Sequence, residues 1–541
     1  MILAPLLMLA AAQAAPVSAA PISADRIKEH VRQLASDEFA GRGPGEVGEA
    51  KTIAYLANEF RRAGLEPGGE NGGWYQDVPL VRLDRMPGAA MSLRYGSRRV
   101  PLAVGRTATL SLRNAGRTDV VDAPLVFAGY GIVDAKRGWD AYAGVDMRGK
   151  IAVVLANDPD FEAGRDLGFE GRRMALTGRV GVKFEAAAKA GAAGVLVIHE
   201  EAAASYPFAQ VGSGDVLPAM TFQPLNPSPL KLSGWLSRSA GIDLLRRSGL
   251  TLQGAKTRSR QQNFRAFPLK NATLSASGEL RATPFVSRNV IAKLRGDSRP
   301  DEYVLYGAHW DANGRNGPDR SGDGIRNGAI DNATGTAELL EVARAFAASG
   351  KRPARTLVFA AWTAEEKGLL GAEYYANHPL YPLARTAAVI NLDPHVVLPA
   401  SRDLELVGGG RTPLETDLAR VAAAQGLKLT QEPNPEAGWY FRSDHFPFAR
   451  RGVPALSFRA GRDLLRGGKA AGDRAVTAYN ARCYHQPCDE FDPRWTFAGT
   501  AQEASVAYAL GRELAESKDW PGWYPGNEYG PAREETARER R

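Results

Sequence analysis

Cysteine is nearly absent: Cys483 and Cys488 are the only two in 541 residues, too few for a disulfide framework. Five positions apart, they close a small disulfide loop in an oxidising compartment, or else offer two thiols to a zinc site. The second use normally asks for more Cys or His at closer spacing. Runs of Lys and Arg interleaved with aromatics are also missing. The net charge of +8 is spread along the chain, which gives nucleic-acid binding no support. Beyond the N-terminal stretch no segment approaches the ~20 consecutive apolar residues of a membrane span.

No Lys or Arg precedes Arg26, and residues 2–15 are almost wholly apolar and rich in Ala and Leu. Small residues follow at Ala12-Gln13-Ala14 and Val17-Ser18-Ala19. Residues 1–20 therefore read as a secretory signal peptide with an n-region that relies on the α-amino group. The expectation is an exported protein, periplasmic or extracellular. What is present fits a folded enzyme: 44% apolar and 24% charged residues, with 58 glycines and 34 prolines for loops. The length allows two or three folded units.

Periodicity divides the chain. Residues 23–63 are helical, with Ile27, Val31 and Leu34, then Ile53, Leu56 and Phe60, at three- and four-residue steps. A glycine-rich turn, Phe39 to Gly45, lies between the two runs. Strand-like runs at 124–128 and 151–155 precede a helix at 183–190 and a strand at 193–199. From residue 287 onward strands (303–308, 356–362, 387–392) alternate with helices (334–348, 369–376). Such alternation predicts an α/β fold with a mostly parallel central sheet flanked by helices. Ligands in such sheets gather beyond the carboxyl ends of the strands. The segment 533–541 is densely charged and reads as a solvated or frayed terminus.

The strand ends carry an unusual set of side chains. The first ends in His309-Trp310-Asp311; a glycine-rich loop leads to Asp331-Asn332 at a helix start. The next ends before Glu365-Glu366 and the third in Asn391-Leu392-Asp393; Tyr484-His485 comes much later. Singly, each has an ordinary explanation: Asp331 as a helix N-cap, the glutamates as a solvated turn, the histidines as structural groups. Together, at successive strand ends, the carboxylates would repel one another unless a divalent cation sat among them. His with carboxylates suits zinc, and two cations can share one bridging Asp.

These segments, with Arg442-Ser443-Asp444-His445 and Phe448, resemble the co-catalytic zinc aminopeptidases of peptidase family M28 over roughly residues 285–515. The helix-to-strand pair at 183–199 resembles the protease-associated domain. The resemblance implies a zinc aminopeptidase/phosphorylase-hydrolase-like fold. Its expected parts are a signal peptide at 1–20, an N-terminal part of the peptidase domain at 21–118, an inserted small α/β protease-associated domain at 119–255, a catalytic domain at 256–525 and a charged tail at 526–541. It further implies two zinc ions per chain. Asp331 would bridge them, His309 and Asp393 complete one site, and Glu366 and His485 the other. Asp311 would orient the His309 ring, and Glu365 would be the general base. Tyr484 has two open roles, hydrogen-bonding an oxyanion or packing; Arg442 either contacts substrate or braces its loop. His395 and His445 are left out of the ligand set, and His30, His199 and His378 have no assigned role.

The implied activity is release of N-terminal residues from peptides. A carboxypeptidase or dipeptidase of the same fold stays open, since Arg-rich loops near 442–474 would suit a substrate carboxylate. A glutaminyl-cyclase-like acyltransferase and a non-catalytic, receptor-like protein are the remaining readings. Oligomeric state, side-chain preference and the role of the insert are left open.

Overall fold

Four adjacent parallel strands carry the strand ends singled out above. Their order is Arg355–Trp362, Arg299–His309, Thr386–Asn391 and Ala455–Ala460. The computed structural model describes residues 22–540 except 164, 215, 216, 320 and 321; the expected signal peptide at 1–20 lies outside them. Every residue of Arg355–Trp362, Thr386–Asn391 and Ala455–Ala460 is buried, as in a parallel sheet covered on both faces.

Side chains along the His309 strand alternate between two cores. Val304, Tyr306 and Ala308 pack into one with helices Ala24–Leu34, Gly335–Ala348 and Ala498–Glu516. Tyr303 and Leu305 enter the other with Leu370–Asn377 and His445–Arg450. That alternation is the two-residue period of a strand. Ile27, Val31 and Leu34, at helical spacing, are the buried face of the first helix, which Ser23 caps by accepting the Arg26 N–H at 3.3 Å.

A 28-residue strand, Phe267–Leu294, joins this unit to the insert. Its last residues pair antiparallel with Arg355–Trp362, and its earlier parts pair with Tyr75–Arg85, Ala90–Tyr95 and Gly116–Phe127. The insert has parallel strands Ile151–Leu155, Gly194–Ile198 and Leu232–Leu236 and the helix Val180–Lys189. Its hydrophobic core draws residues from Val81 to Leu280. The segment expected at 119–255 thus shares one core with flanking residues on both sides.

In the charged C-terminal segment, expected to be a solvated terminus, Glu534, Glu535, Arg538 and Glu539 are exposed, but Arg533 is docked. Gly530–Glu535 is helical, and Arg533 is only 5% exposed. Arg533 donates to the Thr386 carbonyl at 3.0 Å, and its guanidinium lies over the Trp520 ring. Charge density misled here because a guanidinium can bury against backbone carbonyls and an aromatic face. Cys483 and Cys488 are joined in a disulfide.

Candidate metal centre

The carboxyl ends of the parallel strands bring His309, the Glu365–Glu366 turn and Asp393 to one edge of the sheet. Asp331 arrives from the loop ahead of helix Gly335–Ala348, and His485 from beyond helix Gly468–Arg482. Asp331 stands between the histidines: Oδ1 is 3.3 Å from His309 Nε2, and Oδ2 is 3.1 Å from His485 Nε2. His309 Nε2 also lies 3.8 Å from Asp393 Oδ1 and 3.9 Å from Glu365 Oε2. His485 Nε2 is 3.1 Å from Glu366 Oε2. Two triads result, His309–Asp331–Asp393 and Asp331–Glu366–His485, with ligand atoms within 4.8 Å of one another in each. Asp331 belongs to both.

The donor set fits zinc. Each triad combines one imidazole nitrogen with two carboxylates, hard and borderline donors of the right number for a site with an open position. Electrostatics agree. Burial opposes a charged His309, yet Glu365, Asp311 and Asp331 hold its proton affinity well above the usual histidine range. Burial pushes the Glu365 carboxyl well up, and the carboxylates of Asp444, Asp393 and Glu366 add to the rise although His309 opposes it. Asp444 is 1% exposed, with neither side-chain oxygen hydrogen-bonded. The cluster carries more negative charge than its surroundings balance, the situation a bound cation relieves.

The supports around the ligands are specific. The His309 ring N–H at Nδ1 donates to the main-chain carbonyl of Asp311 at 3.0 Å, which leaves the Nε2 lone pair facing the carboxylates. The side chain of Asp311, expected to orient this ring, lies 3.7 Å from Nδ1. It accepts instead the backbone N–H groups of Glu365, at 3.0 Å, and Glu366, at 3.4 Å. Asp311 therefore shapes the turn that presents both glutamates, and its main chain orients the ring. Capping also falls elsewhere than the simple reading of Asp331 allowed: Asn332 Oδ1 accepts the Gly335 N–H at 2.8 Å, so Asp331 is free to face the histidines.

Three supporting residues carried no role in the sequence reading. Asp489 accepts the backbone N–H groups of Ile330, at 2.9 Å, and Asp331, at 3.1 Å, and the Tyr479 hydroxyl at 3.1 Å. Ser443 donates to the Asp393 carboxylate. Arg42, fully buried, donates to the carbonyls of Leu34, Trp310, Asn327 and Gly328, tying the N-terminal turn to both loops of the site. Gly328 takes φ +54°, and a Cβ there would meet the Asp331 carbonyl oxygen at 2.2 Å. A glycine-rich turn containing one arginine was the available signal for Arg42; sequence spacing offered none for Asp489.

Tyr484 stacks on His485 with ring centres 3.9 Å apart, and its hydroxyl accepts from Arg442 at 3.2 Å. Arg442 also lies over Trp439, so it braces this corner. His395 and His445 are buried outside both triads. His30, His199 and His378 likewise belong to neither triad.

A sheet with histidines and carboxylates collected at its parallel strand ends, and a second α/β unit set into the chain, defines the class: a metal-site α/β protein with an inserted domain. Residues 289–509 match the model of Peptidase family M28, and residues 121–224, ahead of them in the chain, match that of the PA domain. The chain is 30% identical over 225 residues to leupeptin-inactivating enzyme 1 of Streptomyces exfoliatus, covering 41% of this chain and 47% of that protein. It is 32% identical over 213 residues to a glutamate carboxypeptidase 2 homolog of Caenorhabditis elegans, covering 34% and 25%. The chain thus spans half or less of the length of these relatives. Among solved structures, an aminopeptidase from Aneurinibacillus sp. strain AM-1 shares the fold, with a TM-score of 0.53 at 19% identity over 92% of this chain and 95% of that one.

Proposed function

We propose that the protein is a zinc metallopeptidase that hydrolyses peptide bonds and releases N-terminal residues. The observation that carries this reading is the pair of triads sharing Asp331, with Glu365 beside them and outside both. His309 and Asp393 would hold one zinc ion, Glu366 and His485 the other, and Asp331 both. The chemistry zinc supplies in such donor sets is acidification of water and polarisation of a carbonyl oxygen.

The chain's own groups do the rest. Glu365, on a turn fixed by Asp311, takes the proton of the attacking water and returns it to the departing amine. The peptide C–N bond breaks, one water is consumed, and the products are a carboxylate and an amine. The Tyr484 hydroxyl, aligned by Arg442, donates to the oxygen on which negative charge develops. Unbalanced carboxylates at the cluster also suit a free α-amine.

A second reading has an observation of its own. Arg179 of the PA domain lines a cavity of about 350 Å³ together with Arg442, Tyr484 and His485. It lies over Phe446 and Phe441 and, among the described residues, forms no ion pair. Burial and the Arg442 charge pull its pKa down to about 10. An unpartnered guanidinium beside the centre suits a substrate carboxylate, hence a carboxypeptidase or dipeptidase. Relatives of both kinds are consistent with this choice.

Hydrolysis of free, N-acetylated and C-amidated peptides, before and after chelation and zinc restoration, separates the readings. The aminopeptidase cleaves free and amidated peptides and fails on acetylated ones. A carboxypeptidase does the reverse, and a dipeptidase needs both ends free. Absence of metal-dependent cleavage of any of them defeats the peptidase proposal. Export is part of the proposal, supported by residues 1–20 and by the Cys483–Cys488 disulfide, a bond that persists in oxidising compartments. N-terminal sequencing of the protein recovered from culture medium and periplasm tests it.

A further inference from the structure

Two cavities of very different size meet at the ligand cluster. The large one, about 350 Å³, runs from Tyr484 and His485 toward Trp235 and toward Arg179 of the PA domain, residues 121–224. The small one, about 40 Å³, lies behind Asp393 and Glu365 and ends against His395, Val407, Trp439, Arg459 and Tyr479. It is far smaller than its neighbour, so of the two it is the one that discriminates by side-chain size.

Its end wall is rigid. The His395 ring packs against Trp439, Tyr484 and Tyr479 at centroid distances of 4.5, 5.5 and 5.9 Å. Trp439 is itself covered by the Arg442 guanidinium at 4.2 Å, and Arg459 is held by Glu405. Widening the cavity thus requires moving a packed aromatic cluster, which interiors resist.

Resting on the aminopeptidase reading, we infer that this cavity receives the side chain of the N-terminal residue, that it selects Gly, Ala and Ser over larger residues, and that His395 sets the limit. The remainder of the peptide extends into the large cavity. His395 is a specificity-determining residue, outside both ligand triads.

The test measures kcat/KM of the zinc-loaded protein on the anilides of Ala, Ser, Leu, Phe and Arg. Calorimetric titration with free Ala and free Leu runs beside it. Ala and Ser anilides are expected to exceed the other three by about tenfold or more, within the range that side-chain size supplies in a closed pocket. In His395→Ala the Leu-to-Ala ratio rises about tenfold; a ratio is unaffected by partial loss of folded protein. Val407→Ala enlarges the opposite wall and gives the same reading where His395→Ala fails to accumulate. Leu or Phe turned over as well as Ala, or a ratio unmoved in both variants, overturns the inference. Cleavage of no anilide at all defeats the aminopeptidase reading instead. The titration then decides alone: tighter Ala than Leu upholds the small cavity, and equal or reversed affinity overturns it.

Discussion

The Asp311 carboxylate accepts the backbone N–H of Glu365 at 3.0 Å, so the residue two positions beyond one candidate ligand holds the turn that presents the candidate base. Asp311 is fully buried. Asp311→Asn keeps the shape but turns one acceptor into an NH2 donor facing an N–H. Leaving a buried group unmet costs ~1–3 kcal/mol, and loss of such a support around a metal centre typically costs 10–100-fold in activity or metal affinity. The expected result is a fall of that size in kcat/KM, read together with zinc content by elemental analysis.

Glu365→Gln separates proton transfer from metal binding. Glutamine retains the size and a hydrogen-bonding oxygen but carries no proton between water and amine. Activity is expected to fall by ~10²–10⁴-fold, the usual weight of a positioned acid–base group, while zinc content stays that of the parent protein. Asp331→Asn removes charge from the residue common to both triads and is expected to lower zinc content as well. Equal metal loss in both variants refutes the division of roles.

Chelation is expected to lower the thermal midpoint, because the carboxylates of Asp331, Glu365, Glu366 and Asp393 then repel without a counter-charge. Zinc at a hundredfold excess over its dissociation constant contributes about 2.7 kcal/mol of stability per site. Melting curves with chelator, then with zinc added in steps, check both the restoration and whether it needs two equivalents.

Much of this was legible because it is local. Strand and helix alternation gave the parallel sheet, and His309, Glu365, Glu366 and Asp393 sit within four residues of strand ends, so spacing alone placed them together. Other features depend on pairings across hundreds of positions. Arg42 meets Gly328, and Asp489 meets Asp331, through backbone groups that leave no side-chain signature in sequence. Asp311 lay in a recognised motif, yet which of its oxygens faces the His309 ring depends on the backbone path of a single turn. Arg533 was misjudged because a run of charges looks alike whether solvated or docked on carbonyls.

Lys183, in the PA domain, gives a pH signature independent of the metal centre. It is fully buried and donates to the carbonyls of Tyr130 and Asn157, and burial lowers its pKa to about 7. The unfolded chain holds that proton up to the ordinary lysine value of ~10.4. Between these values the unfolded state binds more protons, so stability rises with pH, by at most about 1.4 kcal/mol per unit. Conversely it is lost as pH falls through 7. Asp158, raised to about 7 mainly by burial, contributes the opposite slope below pH 7, so measurements above pH 8 isolate the lysine. Urea midpoints of parent and Lys183→Met at pH 8 and 9.5, both with chelator, are expected to differ in slope by this amount.

Arg179 decides what the PA domain contributes to substrate binding. It faces the large cavity beside Arg442 without an ion pair among the described residues, and a desolvated guanidinium gains most from a carboxylate it can reach. If the substrate's free C-terminus is that carboxylate, Arg179→Ala lowers kcat/KM on short peptides with a free C-terminus by about 30-fold or more, corresponding to the ~2–5 kcal/mol of a buried charge pair. On the C-amidated forms of the same peptides it leaves kcat/KM within about twofold. The change falls mainly in KM, because the contact is equal in ground and transition states. Equal loss on both peptide series assigns Arg179 to packing against Phe441 and Phe446. No loss on either leaves the cavity to the apolar part of the substrate, and the aminopeptidase reading then stands without a carboxylate clamp.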